Sequence, residues 1–98
     1  MQPVLDAIAS PRRREILRLV WDRELTAGQI ASRFDVSWPA VSQNLGVLRR
    51  AGLVIERREG TRRFYRAQTG ALGPLEVALR QMWEQDLDRL KEAVEDDR

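Results

Sequence analysis

The side chains with the richest recognition chemistry in this sequence fall in two groups. One is the run Ser37, Trp38, Pro39, Ala40, Ser42, Gln43 and Asn44, where hydroxyls, carboxamides and a methyl stand at what reads as the start of a helix. The other is Arg57, Arg58, Arg62 and Arg63, four guanidiniums around Glu59-Gly60-Thr61, with Arg49 and Arg50 upstream. Hydroxyls and carboxamides read donor and acceptor edges, and guanidiniums hold anionic oxygens. Covalent chemistry is poorly provided for. The 98 residues contain no cysteine and no histidine, so there is no thiolate or imidazole to act as nucleophile, base or metal ligand. Ser42 and Tyr65 have no base at a recognisable spacing to activate them. The expectation is a protein that is not an enzyme and uses no metal and no cofactor.

Charge supports a binding role. Residues 1–68 carry thirteen arginines against seven acids, a net of +6, whereas residues 69–98 carry four basic and eight acidic residues, a net of −4. A basic body facing a polyanion, with an acidic tail turned away, is the simple electrostatic reading; compositional noise on a short chain is the other. No apolar run approaches the ~18 to 20 residues of a spanning helix, and Met1 to Ser10 has no basic n-region. A cytoplasmic location and no membrane partner are expected. A chain this short makes one domain with a thin stability margin, which oligomerisation would widen.

Hydrophobic periodicity indicates what must hold these groups. Residues 3–9 place Val4, Leu5 and Ile8 on one side of a short helix. Ser10-Pro11 reads as an N-cap with proline at the first helical position, opening a buried helix through Ile16, Leu17, Leu19 and Val20 that is expected to end near residues 22–24. Thr26-Ala27-Gly28-Gln29 fits a capping box, with Ile30, Ala31 and Phe34 continuing an apolar face to about residue 34. After Asp35-Val36, Ser37 caps a helix with Val41, Leu45 and Leu48 inward, closed by Gly52 in the left-handed conformation. Two strand-like runs, 53–58 and 62–67, form a hairpin with Gly60 at its tip. Beyond Gly70 and Gly73-Pro74, residues 75–95 form one amphipathic helix with Leu75, Leu79, Met82, Trp83, Leu87, Leu90 and Val94 along one face.

The predicted fold is mainly α with a small β-hairpin: a winged helix-turn-helix with N- and C-terminal dimerisation helices. It forms a single domain over residues 1–98, with the helix-turn-helix at about 26–51, the wing at about 53–67 and the C-terminal dimerisation helix at about 75–95. The long apolar stripe exceeds what one small core covers, so a second copy of the chain is its expected partner. Folding back on its own domain is the alternative.

The order of these motifs resembles the ArsR/SmtB family of bacterial repressors: Ser10-Pro11-Arg12-Arg13-Arg14-Glu15-Ile16-Leu17, Thr26-Ala27-Gly28-Gln29-Ile30-Ala31, residues 36–45, residues 48–54, and Arg58-Glu59-Gly60 through Tyr65. The Thr-Ala-Gly-x-Ile-Ala opening is similar to metal-independent autorepressors within it. The resemblance implies a homodimer built through the first and last helices, with Val4, Leu5, Ile8, Leu75, Leu79, Met82, Trp83, Leu87 and Leu90 at the interface. It implies a repressor that binds a pseudo-palindromic operator in double-stranded DNA. Metal-sensing members carry Cys or His ligands that are missing here; only carboxylates such as Asp86, Asp88, Glu92, Glu95 and Asp96 remain, and a solvated helix face is their ordinary role.

In such a fold Ser37, Trp38, Pro39, Ala40, Ser42, Gln43 and Asn44 would face the major groove, while Arg49, Arg57, Arg58, Arg62 and Arg63 meet phosphates. Trp38 is open to two readings, a stack against the sugar-phosphate backbone or a staple onto the preceding helix. Gly46 reads as a site of close helix packing. Arg12, Arg13 and Arg14 oppose the dipole of their own helix, and a structural salt bridge is the favoured partner over DNA. A small apolar effector near Met82 and Trp83 has no polar anchor in the sequence. The competing function is a protein-interaction module that uses the C-terminal amphipathic helix and has lost DNA reading.

Overall fold

The computed structural model describes the backbone of residues 2–34 and 36–96 and the side chains of residues 3–34 and 36–85. The chain runs α1 (Gln2–Ile8), α2 (Pro11–Leu19), α3 (Ala27–Ala31), α4 (Trp38–Arg50), β1 (Val54–Glu59), β2 (Arg62–Ala67), a 3-10 turn (Thr69–Leu72) and α5 (Leu75–Asp96).

Local chemistry sets the helix starts. Ser10 Oγ accepts the Arg13 N–H, and Ser37 Oγ accepts the Ala40 N–H. At α3 the capping box is complete: Thr26 Oγ1 accepts from Gln29 N–H at 3.1 Å, and Gln29 Oε1 accepts from Thr26 N–H at 2.9 Å. α4 ends in a Schellman motif, with Leu53 N–H on the Leu48 carbonyl and Gly52 N–H on that of Arg49. Gly52 sits at φ 79°, a conformation that strains any residue with a Cβ.

Two helices are shorter than their periodicity suggests. α2 stops at Leu19 rather than near residues 22–24, because the chain must turn there for Leu25 to reach the sheet. Leu25 and Tyr65 exchange both backbone hydrogen bonds, at 3.1 and 2.8 Å, which adds a one-residue bridge beside β2. The Val20 carbonyl, freed from the helix ladder, accepts from the Ala67 N–H at 2.8 Å. α3 ends at Ala31 and continues to Phe34 only as tighter i→i+3 turns.

The core is a single cluster in which Ile16, Leu17, Val20, Ile30, Val41, Leu45 and Leu48 from the helices meet Leu53, Val54 and Ala67 from the hairpin base. Burial of each large aliphatic side chain contributes about 1.5–3 kcal/mol. Leu72, on the 3-10 turn that the sequence pattern missed, and Leu79 of α5 complete it. The first turns of α5 therefore pack on their own domain. Leu79 is 2% exposed, and Leu75 and Trp83 are half-buried against the same cluster. The Trp83 ring meets Trp21 edge-on at 5.2 Å. Leu79, expected at a surface between copies, is thus already buried within one chain. Leu5 and Met82 are exposed, and Val4 and Ile8 half-buried. Leu87, Leu90 and the carboxylates of Asp86, Asp88, Glu92, Glu95 and Asp96 lie outside the described side chains.

Candidate nucleic-acid interface

Helix α4 is held by one face and leaves the other free. Val41, Leu45 and Leu48, at i, i+4 and i+7, are buried, so Ser37, Trp38, Pro39, Ser42 and Gln43 are left exposed, with Ala40 half-buried beside them. Asn44 stands apart from that run. It is half-buried, and its Oδ1 accepts from Arg13 Nη1 at 3.4 Å, toward α2.

Trp38 combines features of both readings made for it. Its ring lies over Gly28 of α3, so close that a Cβ on that glycine would come within 3.2 Å of the indole. It nevertheless remains 61% exposed. Gly46 does not serve helix packing as expected: the nearest atom to a Cβ there would be Nη1 of Arg50 on its own helix, at 3.3 Å. The glycine instead lines a cleft between α4 and the hairpin.

The hairpin has two chemically different faces. Register pairs Val54 with Ala67, Glu56 with Tyr65 and Arg58 with Arg63, and these side chains share one face. Ile55, Arg57, Glu59, Arg62, Phe64 and Arg66 share the other. Gly60, at φ 63°, and Thr61 make a two-residue turn, one residue tighter than predicted, with glycine where a II′ turn requires positive φ.

Sidedness divides the four wing arginines. Arg57 and Arg62 lie over the Phe64 ring at 4.8 and 5.1 Å, and Arg57 donates to Glu24 at 2.8 Å and Glu59 at 3.0 Å. Those two carboxylates raise the Arg57 pKa above its ordinary value, Glu24 contributing most. Arg58 and Arg63, on the opposite face, point their cations at Glu56, at 3.8 and 4.0 Å. Arg49, from the last turn of α4, meets the same carboxylate at 2.7 Å.

α4 and the wing come together in an open groove of about 330 Å³ lined by Thr26, Ala27, Trp38, Ser42, Thr61, Arg62, Arg63 and Tyr65. A second cleft of about 190 Å³ joins Ser42, Gly46, Arg49, Glu56, Arg63 and Tyr65. Of the residues nominated from sequence, Trp38, Ser42, Arg62 and Arg63 line the first cleft and Ser42, Arg49 and Arg63 the second. Thr26, Thr61, Tyr65 and Glu56 were not nominated. The alternation of β2 marks Tyr65 as a neighbour of Arg63 two residues away on the same face, but no signal in the sequence places Thr26 opposite the hairpin tip. Arg50 points elsewhere, into a cleft against α1 with Pro3, Asp6, Ala7 and Arg13.

The Arg12–Arg14 cluster serves the first helix junction. Arg13 donates to the carbonyls of Ala7 at 2.7 Å and Asp6 at 3.0 Å, and Arg14 to those of Ile8 at 2.8 Å and Ala9 at 3.2 Å. These are the last carbonyls of α1, where a cation completes the hydrogen bonding and complements the dipole. Arg12 lies over the Phe34 ring at 4.9 Å. These partners are main-chain oxygens, the Asn44 carboxamide and a ring, where the sequence reading favoured a salt bridge.

Among the described residues no helix is long and apolar enough to cross a membrane.

Comparison with known proteins places this geometry. Residues 10–56 match the bacterial regulatory proteins of the arsR family. The chain is similar to the transcriptional repressor SdpR of Bacillus subtilis, 38% identical over 72 residues that cover 74% of this chain and 80% of that protein. It is also similar to the transcriptional activator HlyU of Vibrio cholerae, 45% identical over 62 residues, 63% of this chain and 57% of that one. Its fold matches the solution structure of a homodimeric winged helix-turn-helix DNA-binding domain from Mycobacterium bovis, a possible ArsR-family transcriptional regulator. That match has a TM-score of 0.74 at 32% identity and covers 86% of this chain and 78% of the other. Winged helix-turn-helix architecture, motif order and sequence agree: the chain belongs to the arsR family of bacterial regulatory proteins.

Proposed function

We propose that this chain is a sequence-specific DNA-binding repressor that acts as a homodimer on a pseudo-palindromic operator. One observation carries the reading: the free first turn of α4 and the arginine-bearing wing line the same groove, and Trp38, Ser42, Arg62 and Arg63 face it together. α4 enters the major groove through residues 37–43. Gln43 suits an adenine edge, Ser42 either base, and the Ala40 methyl a thymine methyl. Arg58, Arg62 and Arg63, with Arg49 and Arg57, hold the flanking phosphates. Asn44 fixes α4 against Arg13 instead of reading bases.

The homodimer is supported by the homodimeric state of the Mycobacterium bovis neighbour and by apolar surface that one chain leaves open, at Leu5, Val77 and Met82. Two copies would set their recognition helices about one turn of DNA apart, ~34 Å. SdpR is named a repressor and HlyU an activator, and we take repression by operator occupancy as the mode here. The whole chain works as one domain in the cytoplasm, where its DNA lies, without a cofactor. The carboxylate that shares a cleft with Ser42 and Tyr65, that of Glu56, is paired with Arg49, which supports a role other than catalysis.

The test is a fluorescence anisotropy titration against the DNA upstream of its own gene and a scrambled duplex, over a range of salt. A folded dimer should prefer the first and lose affinity steeply with salt. Absence of any salt-dependent DNA binding, with a protein partner captured through residues 75–95, would replace this reading with that of an interaction module.

A further inference from the structure

Among the described residues Glu56 is the one acidic side chain lining the α4–wing clefts, and its position is unfavourable for a surface that meets phosphates. Its side chain is only 14% exposed, while the three guanidiniums around it, those of Arg49, Arg58 and Arg63, are each more than half exposed. A carboxylate set there repels DNA, so its placement calls for a compensating use. Arg49 belongs to α4 and the other two to the wing, so one carboxylate ties the far end of the recognition helix to the hairpin.

We propose that Glu56 is a positioning residue for DNA discrimination. It holds Arg49, Arg58 and Arg63 at the junction of α4 and the wing, in positions that suit a backbone docked in the register set by α4. The inference rests on the DNA-binding reading above. Non-specific association is driven by cations reaching phosphates in any register, and counterion release sets its salt dependence. In such encounters the Glu56 carboxylate competes with phosphate for the three guanidiniums, so they contribute less. In the operator complex they are already aligned, and little rotameric freedom remains to be lost. Register also places Glu56 directly opposite Tyr65, whose side chain lines both clefts.

Glu56→Gln keeps the shape and an acceptor for Arg49 but removes the charge. With a duplex selected by the wild-type protein from a random pool, affinity should change less than about twofold. With a scrambled duplex of the same composition it should rise about tenfold at 0.1 M salt, and log K against log[salt] should steepen by about 1 per protomer. Glu76→Gln, which removes the same charge from α5 beside Arg80, should leave the ratio between the two duplexes unchanged. Glu56→Asp keeps the charge but draws it back from Arg49. It should fall between wild type and Glu56→Gln on the scrambled duplex, which provides a second test if the glutamine variant folds poorly. Equal gains on both duplexes, or no change on either, in a variant of unaltered thermal midpoint would overturn the proposal while leaving DNA binding intact. Failure of the wild-type protein to bind either duplex would remove the functional reading itself, and this inference with it.

Discussion

Replacing Arg62 and Arg63 together by Ala tests whether the wing meets phosphate. Both side chains are exposed, and both line the groove beside Trp38. The folded state loses little. Arg63 gives up an ion pair with Glu56 at 4.0 Å, worth less than about 1 kcal/mol at such exposure. Arg62 gives up its position over Phe64, about 0.5–1 kcal/mol, and Arg57 still covers that ring. A loss near 1 kcal/mol lowers the melting temperature by about 4–8 °C in a domain of this size, so the variant stays folded at 25 °C. DNA binding should respond far more. A homodimer loses four guanidiniums, and each neutralised phosphate contributes about 0.9 to the slope of log K against log[salt]. Full engagement makes the slope shallower by about 3.6, and affinity at 0.1 M salt falls by up to roughly three orders of magnitude. Anisotropy titrations of one operator and one scrambled duplex between about 50 and 300 mM salt would measure both quantities. Both duplexes should lose affinity, the scrambled one less, because Arg62 acts in any register whereas Arg63 is tied to Glu56. A slope change below about 1 on the operator would refute phosphate contact by the wing.

Three further outcomes follow from particular contacts. Gly28→Ala puts a methyl within 3.2 Å of the Trp38 ring, which is exposed enough to swing aside. Stability by chemical denaturation should change by less than about 1 kcal/mol, whereas operator affinity falls because the indole leaves the groove wall. Arg13→Ala removes the donors to Ala7 and Asp6 and the link to Asn44, and urea denaturation should register a loss of about 1–3 kcal/mol with the salt slope of DNA binding unaltered. Leu79→Ala empties a fully packed site and should cost about 2–5 kcal/mol by the same assay, even at concentrations where the protein is monomeric. A destabilisation that appears only in the dimer would return Leu79 to the interface between copies.

Much of the scaffold is legible one segment at a time. Ser10, Thr26 and Ser37 announce helix starts because a cap is a contact across three residues. Gly52 and Gly60 announce a helix end and a hairpin tip because each position needs positive φ. The buried faces of α2 and α4 follow from 3.6-residue periodicity, and the faces of the wing from alternation. Reading failed where a residue's role is set by something distant in sequence. The bridge from Leu25 to Tyr65, the early end of α2 and the 3-10 turn over Leu72 arise from the hairpin closing against the helices.

The distinction holds for the site as well. Sequence alone determined that hydrogen-bonding and charged groups gather at a polar helix start and an arginine-rich hairpin, and that the chain has no cysteine or histidine. Residue type and local spacing suffice for those statements. Tertiary structure decided the rest: Asn44 turns to Arg13, Trp38 rests on Gly28, and Arg13 and Arg14 close the end of α1. It also sorted the wing arginines between Phe64 on one face and Glu56 on the other. A guanidinium in a sequence has no address, because its long side chain reaches whichever oxygen or ring the fold brings near. Only packing α4 against the hairpin determines which of these cations remain available to a phosphate.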